Sequence, residues 1–354
     1  MQLSKEEKQQ YNRHLILDNI GEQGQLKLKN ATVLVIGAGG LGCPILQYLT
    51  AAGIGTIGIV DHDTIDQSNL QRQILYTHDD LGKSKAKVAA GKLYRLNPFV
   101  KFEVHLEKVT SENALNLFSS YDIIVDGSDN FPTRYLVNDA AVLSNKPLVF
   151  GSIFKFEGQV SVFNYKNGPT YRCLYPTPPK PNEVPNCSEI GVLGVLPGII
   201  GSLQANEVLK IILELGSVLS GKILTYNALS SEQLIFKLKK NETMLIEKLE
   251  DNYDGFCGVM NKITEITFQD YAINKTNYNV LDVRTKAERN DYYIESIHIP
   301  LDELETRLHE IPQNKDLLVY CKSGVRSKAA ITILQKHEFS KNAVNLKDGL
   351  DTYN

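Results

Sequence analysis

The chain has 354 residues, enough for two or three domains, and its 42% hydrophobic and 22% charged residues are typical of a soluble globular protein. Its formal net charge of −3, without a long block of one sign, argues against a dedicated nucleic-acid-binding protein. We see no run of about 18 apolar residues that predicts a transmembrane helix. The polar start lacks the apolar core of a signal peptide. We therefore expect a cytoplasmic protein without a membrane or nucleic-acid partner.

The first part of the chain alternates short β-branched runs with helical patterns, which predicts a parallel, doubly wound sheet. The predicted strands are residues 32–37, 56–61, 101–106, 122–126 and 147–151. The predicted helices lie near residues 41–52, 83–96, 111–119 and 131–144.

The following stretch changes character three times. Residues 157–165 alternate apolar and polar side chains, which predicts an antiparallel strand with one wet face. Residues 166–190 are rich in proline and predict an irregular loop. Residues 191–215 predict a long, largely apolar helical region, too interrupted by glycine and proline for a membrane span. Two further strands are predicted at residues 222–229 and 233–239.

A second α/β pattern begins after a polar, weakly patterned stretch. We predict one domain over residues 1–240, a linker over 241–262 and a small second α/β domain over 263–354. The second domain has predicted strands at residues 278–284, 296–300, 316–321 and 343–349. Short helices are predicted at residues 301–310 and 327–337.

The first candidate site is the glycine-rich turn VIGAGGLG, residues 35–42. Gly37, Gly39 and Gly42 fit the pattern G-x-G-x-x-G, and Asp61 ends the next predicted strand. Such a turn lets the backbone approach a phosphate at a helix N-terminus, and the acidic residue can accept a hydrogen bond from a ribose hydroxyl. By itself the motif does not distinguish an NAD-dependent dehydrogenase from an ATP-binding enzyme.

Polar and charged residues near the turn favour ATP. Asn69, Arg72, Lys85 and Asp129 follow predicted strands, and ligands of parallel sheets bind at the carboxyl ends of strands. Two cations suit a triphosphate and one carboxylate suits Mg²⁺, whereas a nicotinamide needs neither. Each residue alone also fits a solvated surface position, so the prediction depends on their convergence.

Long motifs of the first domain resemble the MoeB/ThiF family, the bacterial relatives of ubiquitin-activating enzymes. They include YNRHLIL, LVIGAGGLGCP, SNLQRQIL, DGSDNFPTRYLVNDA, YRCLYP and GVLGVLPGIIGSLQANEVLK. The resemblance covers residues 5–240 and implies a Rossmann-like, doubly wound ATP-binding domain. It also implies an ATP-dependent adenylyltransferase that acts on the C-terminal glycine of a small ubiquitin-like sulfur carrier.

The resemblance assigns roles to individual residues. It implies that Gly40 and Asp61 contact the nucleotide. It also implies that Arg72 and Lys85 hold the phosphates and that Asp129 binds magnesium. It also implies a homodimer, in which Arg13 of an N-terminal helix reaches the ATP site of the other subunit.

The second candidate site is the stretch YCKSGVRS, which places Cys321 at the end of a strand and Gly324 and Arg326 in a turn before a helix. Backbone N–H groups, the helix N-terminus and Arg326 would stabilise a thiolate or persulfide there. The alternatives are a buried structural cysteine and a phosphatase nucleophile. Residues 263–354 resemble a rhodanese domain in LDVR, SIHIPL, VYCKSGVRS and NLKDGL, which implies a persulfide on Cys321.

An odd total of five cysteines fits poorly with a closed set of disulfides, so we expect reduced thiols or metal ligands. Cys187 resembles the family's loop cysteine, which can link covalently to the carrier; a loop thiol without a required role is the alternative. Relatives often bind zinc through two C-x-x-C pairs, but Thr170 and Asp254 replace one member of each pair, which leaves Cys173 and Cys257. A closed zinc site needs four ligands, mostly thiolate and imidazole, so we predict no structural zinc.

Together the two domains predict a homodimeric adenylyltransferase–sulfurtransferase that uses ATP and Mg²⁺. It would activate a MoaD- or ThiS-like carrier for molybdopterin or thiamine biosynthesis, and a cysteine desulfurase is one source of the sulfur. The predicted catalytic residues are Arg72, Asp129, Cys187, Cys321 and Arg326. The alternatives are an NAD-dependent oxidoreductase and a non-catalytic module that docks a ubiquitin-like protein.

Overall fold

A computed structural model of the chain describes residues 2–179, 191–257, 263–337, 339 and 341–350. The chain divides into two compact units, residues 1–258 and 259–354. Each unit has its own sheet and its own buried apolar clusters.

The first unit begins with three short helices, α1 (Lys5–Gln10), α2 (Asn12–Leu15) and α3 (Gly21–Asn30). Five strands follow: β1 (Thr32–Ile36), β2 (Thr56–Val60), β3 (Lys101–His105), β4 (Ile123–Asp126) and β5 (Leu148–Phe154). Between them lie α4 (Gly42–Ala52), α5 (Lys85–Leu96), α6 (Ala114–Ser119) and α7 (Phe131–Leu143), with 3-10 helices at Gln67–Asn69 and His78–Asp80. The remaining elements are β6 (Glu157–Phe163), α8 (Tyr171–Leu174), α9 (Leu196–Leu213), β7 (Lys222–Asn227), β8 (Glu232–Lys237) and α10 (Tyr253–Phe256).

The eight strands form one sheet in the order β3-β2-β1-β4-β5-β6-β7-β8. Pairing is parallel from β3 to β5 and antiparallel from β5 to β8. Successive side chains of β1 point to opposite faces: Val33 and Val35 pack in one apolar cluster, and Leu34 and Ile36 in another. Helices cover both faces, so the predicted doubly wound α/β fold is confirmed.

Helix α9 is the one described helix that is long and apolar enough to cross a membrane by length and composition alone. It packs against α4, β5 and β6, and Gln204 and Glu207 are buried along it. Gln204 Nε2 donates to the carbonyl of Asp126 at 2.7 Å, and Glu207 Oε2 accepts from the Leu219 N–H at 2.9 Å. These buried polar contacts are those of a core helix that also secures the end of β4.

The second unit is a smaller α/β layer structure. Its strands are β9 (Thr264–Ile266), β10 (Tyr278–Asp282), β11 (Ile297–His298), β12 (Asp316–Tyr320) and β13 (Ala343–Leu346), all parallel in the order β11-β10-β12-β13-β9. Its helices are α11 (Phe268–Ile273), α12 (Lys286–Asp291) and α13 (Val325–Lys336). Leu317, Val319 and Cys321 pack with α13, whereas Leu318 and Tyr320 pack on the other face.

Several sequence expectations differ from the structure. The amphipathic helix predicted at 301–310 is two 3-10 helices, Leu301–Thr306 and Leu308–Glu310. The proline-rich loop contains the short helix α8, and its residues 180–190 lie outside the described part. The second unit includes β9, α11 and α12, which are too short to give a clear periodic pattern and were not predicted.

Part of the predicted linker over residues 241–262 belongs to the first unit in the structure. Residues 249–257, which we name the connecting segment, pack on the first unit. Tyr253 and Cys257 are buried there, and Leu249 and Phe256 are half-buried. The connecting segment has few apolar residues among polar ones. Its sequence therefore shows no helix or strand periodicity that would mark it as packed.

Candidate functional site

The glycine turn follows β1 and opens α4. Gly37 has φ +91°, a left-handed conformation that favours glycine. A Cβ at Gly42 would lie 2.0 Å from the Gly37 carbonyl oxygen, so the turn closes only with glycine at that position. The turn therefore brings its backbone to the N-terminus of an 11-residue helix, where phosphate is favoured.

A cleft of about 410 Å³ lies over this turn at the carboxyl ends of β1, β2 and β4. It is lined by most of the predicted ATP residues, namely Gly37, Gly39, Gly40, Asp61, Arg72, Lys85 and Asp129. Three other predicted residues do not line it, namely Gly42, Asn69 and Arg13. Gly42 lies within α4 behind the turn, Asn69 caps a 3-10 helix by accepting from the Asp66 N–H, and Arg13 lies in α2.

Asp61 joins the glycine turn to the end of β2. Its Oδ2 accepts from the Ala38 N–H and its Oδ1 from the Asp63 N–H, both at 2.8 Å. Each carboxylate oxygen has two lone pairs, so both still have capacity for a ribose hydroxyl.

Lys85 begins α5 and is buried, with its Nζ 2.8 Å from Asp63 Oδ2. Burial raises the pKa of Asp63, but the hydrogen bond and charge of Lys85 outweigh it and leave that pKa below its ordinary value. Arg72 donates to the Ser68 carbonyl at 3.1 Å. Sequence reasoning missed Asp63, although it lies two residues after Asp61 at the end of the same strand. The cleft therefore contains two cationic side chains, each bonded to a nearby oxygen acceptor that a phosphate oxygen could replace.

Asp129 is exposed at the cleft in the loop after β4, residues 127–130. Asp126 fixes this loop from behind, because its Oδ1 accepts from the Ser128 N–H at 2.9 Å. Arg134 Nη2 approaches the Ser128 carbonyl at 3.4 Å. Burial raises the pKa of Asp126, a residue that sequence reasoning missed. A carboxylate beside a phosphate site fits the hard oxygen ligands that Mg²⁺ prefers.

The second site lies at the end of β12. Cys321 is buried, and its Sγ lies 3.4 Å from Ser327 Oγ, which also lies 2.6 Å from Asn345 Oδ1. Gly324, with φ +83°, caps the 12-residue helix α13. Lys322 and Ser323, between Cys321 and Gly324, are exposed. The cysteine loop is therefore at the surface of this unit while the sulfur faces its core.

Arg326 is held by Glu288 of α12. Its Nη1 and Nη2 donate to the two carboxylate oxygens at 2.7 and 2.6 Å. These hydrogen bonds lower the pKa of Glu288 to about 2. The predicted use of Arg326 at the sulfur stays a prediction. Glu288 was missed, although Thr285-x-x-Glu288 is a capping-box pattern.

The other cysteines occupy separate surroundings. Burial raises the pKa of Cys43 to about 12, and burial with the charge of Asp254 does the same for Cys257. Cys173 Sγ accepts from the backbone N–H groups of Thr170 and Asn241, both at 3.3 Å. Cys187 lies outside the described residues.

Comparison with known proteins decides the family. The ThiF family model matches residues 11–246. The chain belongs to the ThiF family. The model of the rhodanese-like domain matches residues 269–354, so this ThiF-family member also has a rhodanese-like domain.

Two of the following three relatives match over more than nine-tenths of the chain, and the other matches over about three-quarters of it. The chain is 43% identical to the probable adenylyltransferase/sulfurtransferase MoeZ of Mycobacterium tuberculosis, over 98% of this chain and 93% of that protein. It is 50% identical to a sulfur carrier protein adenylyltransferase of Thermus thermophilus, over 73% of this chain and 100% of that protein. It is 41% identical to the adenylyltransferase and sulfurtransferase MOCS3 of Xenopus laevis, over 92% of this chain and 80% of that protein.

A crystal structure of E. coli MccB with MccA-N7isoASN has the same fold, with a TM-score of 0.60 at 22% identity over 72% of this chain and 75% of that one.

The family models and the curated relatives together show that this ThiF-family member is an enzyme, an adenylyltransferase that uses ATP and carries a sulfurtransferase domain. The oxidoreductase and docking-module alternatives are set aside.

Proposed function

We propose that the enzyme adenylates the C-terminal glycine of a MoaD- or ThiS-like carrier and then converts it to a thiocarboxylate. The observation that carries this proposal is the single cleft in which Arg72, Lys85 and Asp129 meet the glycine turn. The name of the Thermus relative, a sulfur carrier protein adenylyltransferase, supports the class of substrate. The product would serve molybdopterin or thiamine synthesis.

Adenylation makes a poor acyl donor reactive. The carrier's carboxylate oxygen attacks the α-phosphorus of ATP, the bond to the β-phosphate oxygen breaks, and pyrophosphate leaves. Lys85, Arg72 and the N-terminus of α4 neutralise and align the triphosphate, which matters more in this step than acid–base catalysis. Asp129 would hold Mg²⁺, which when bound neutralises charge on the phosphates.

Sulfur transfer then uses the second unit. The terminal sulfur of a Cys321 persulfide attacks the acyl carbon and displaces AMP, which leaves an acyl disulfide between carrier and Cys321. Attack by the Cys187 thiolate on the Cys321 sulfur then releases the thiocarboxylate and forms a Cys187–Cys321 disulfide. A thiol reductant restores both thiols. A cysteine desulfurase that carries its own persulfide would supply the sulfane sulfur to Cys321.

We further propose that two copies of the chain form a homodimer in which Arg13 of one subunit reaches the ATP site of the other. The position of Arg13 in a short helix, away from its own cleft, supports this arrangement. An equal mixture of an Arg13→Ala and an Asp129→Ala variant tests it. About half of the reassorted dimers are heterodimers with one intact composite site, so the mixture should recover about a quarter of the native exchange, while each variant alone should recover none.

ATP–pyrophosphate exchange with purified MoaD-like and ThiS-like carriers tests the main proposal. We expect exchange with one carrier, loss of exchange in Asp129→Ala, and no exchange when the carrier lacks its terminal glycine. Asp79→Ala, which removes an exposed carboxylate elsewhere on the same unit, is the matched control and should exchange like the native enzyme. Measurable ATP binding without exchange on either carrier would contradict the proposed substrate.

A further inference from the structure

The connecting segment is anchored by three buried polar side chains, which we name the clasp: Asp139 of α7, Arg172 of α8 and Tyr253 of α10. Arg172 Nε and Nη2 donate to the two oxygens of Asp139 at 2.8 and 2.6 Å. The Tyr253 hydroxyl donates to Asp139 Oδ2 at 2.6 Å. Asp139 is completely buried, and removing one partner of a buried ion pair is strongly destabilising.

Aromatic rings surround the clasp. The Arg172 guanidinium lies 4.7 Å from the centre of the Phe256 ring and 5.3 Å from that of Tyr135. The rings of Phe256 and Tyr135 meet edge to face at 5.4 Å. Ser111 Oγ also donates to the Glu250 carbonyl at 2.7 Å. Polar, cation–π and apolar contacts therefore hold the same nine residues of chain.

The clasp joins the two stretches whose motifs would hold zinc in relatives. Arg172 precedes Cys173, and Tyr253 precedes Asp254. In the described part of the chain, the ligand atoms of Cys173, Asp254 and Cys257 do not come together as a group able to hold a metal. The residues present thus do not fit a structural zinc, while Asp139 already links the same two places, through its ion pair with Arg172 and its hydrogen bond from Tyr253.

We propose that the clasp is a metal-free anchor whose residues position the sulfurtransferase unit by keeping its tether short. This inference rests on the proposed function. With the connecting segment bound, five residues, 258–262, separate it from Ile263, and with the segment released the tether is fourteen residues, 249–262. For a tether that spans its two sites, effective concentration falls with about the −3/2 power of tether length, so release lowers it about fivefold.

Hydrogen exchange of the full chain tests the anchor. Tyr253→Phe keeps the ring but removes the hydrogen bond to Asp139 and the one that the hydroxyl accepts from the Glu250 N–H. Amides of residues 249–257 should therefore exchange about tenfold faster. The double variant Tyr253→Ala/Phe256→Ala leaves the Arg172–Asp139 pair intact and removes both anchoring rings, so protection of the segment should be lost. Tyr94→Phe, at a side chain 57% exposed on α5, is the matched control and should change nothing.

Measuring ATP–pyrophosphate exchange and thiocarboxylate formation separately distinguishes a positioning role of the clasp from a role in folding. In the double variant, ATP–pyrophosphate exchange should stay within twofold of native, while thiocarboxylate formation slows about fivefold. Nine Gly/Ser residues inserted after Gly258 lengthen the tether with the clasp intact and should reproduce that slowing. Unchanged thiocarboxylate formation in the double variant, beside slowing by the insertion, would overturn the positioning role. Equal loss of both activities in the double variant would also overturn it.

Metal analysis completes the test. The purified full chain should contain well under one zinc per chain, and EDTA should leave the exchange of residues 249–257 unchanged. About one zinc per chain, lost with EDTA together with protection of the segment, would overturn the metal-free anchor. A native chain without pyrophosphate exchange on any carrier would refute the proposed function alone, because hydrogen exchange and zinc content report on the anchor independently.

Discussion

Replacing Lys85 by methionine separates its role at the phosphates from its role in the fold. The Lys85 side chain is 9% exposed and its Nζ lies 2.8 Å from Asp63 Oδ2, whose side chain is 54% exposed. A pair with one partner so accessible contributes about 1 kcal/mol or less to stability. Methionine keeps most of the apolar stem packed, so the melting temperature should fall by less than about 3 °C.

The loss at the nucleotide should be much larger. A charge-assisted hydrogen bond to phosphate contributes about 1.5–3 kcal/mol, so kcat/KM for ATP–pyrophosphate exchange should fall by roughly 10- to 150-fold. Without Lys85, the pKa of Asp63 should also rise, because the hydrogen bond and charge that lower it are gone.

Lys87→Met is the matched control, since Lys87 lies on the same helix and is exposed. The assay compares exchange in both variants at several ATP concentrations, alongside thermal unfolding. Exchange by the Lys85 variant within threefold of the Lys87 variant would refute the phosphate role. A large drop in melting temperature would instead show that the ion pair is mainly structural.

Three further predictions concern the two sites. Cys321→Ala should abolish thiosulfate sulfurtransferase activity and leave ATP–pyrophosphate exchange within twofold of native; residual sulfur transfer would make Cys321 a structural cysteine. Glu288→Gln should lower stability above pH 4.5 by about 1 kcal/mol, since the Arg326 pair is partly exposed. Because the folded pKa of about 2 is depressed, this contribution is lost as the pH falls from 4.5 through 2, so thermal unfolding curves of variant and native should converge there; a constant difference contradicts the pairing. Gly42→Ala places a methyl 2.0 Å from the Gly37 oxygen and should cost more than about 2 kcal/mol in urea unfolding, and a neutral result would show that the turn can open.

Most strands of the two sheets, though not β9, could be predicted because their residues are apolar in short, β-branched runs. The predicted run at 32–37 corresponds to β1, and the predicted run at 316–321 corresponds to β12 followed by Cys321. Parallel strands buried on both faces leave this continuous signal, and helices between them follow the 3.6-residue period. Short or irregular elements such as α10 and α12 leave no such signal and were found only in the structure.

The convergence of most candidate nucleotide residues on one cleft could be predicted because the ends of parallel strands meet at one edge of a sheet. This rule brings Asp61 and Asp129 to the glycine turn from distant positions in the chain. The rule does not say which partner each side chain takes. Asp63 beside Lys85 and Glu288 beside Arg326 are contacts that depend on side-chain placement, which sequence spacing does not encode.

By itself, the sequence determined the α/β class, the order of the two domains, the glycine turn and the cysteine loop, because each follows from local periodicity or from residues adjacent in the chain. Only the tertiary structure decided where residues 249–257 belong. That segment is polar, and its attachment depends on Asp139 and Arg172, which lie about a hundred residues earlier and are buried only when the chain folds. A buried carboxylate selects its partners by position in space, since burying its charge is favourable only where cations and hydrogen-bond donors already surround it.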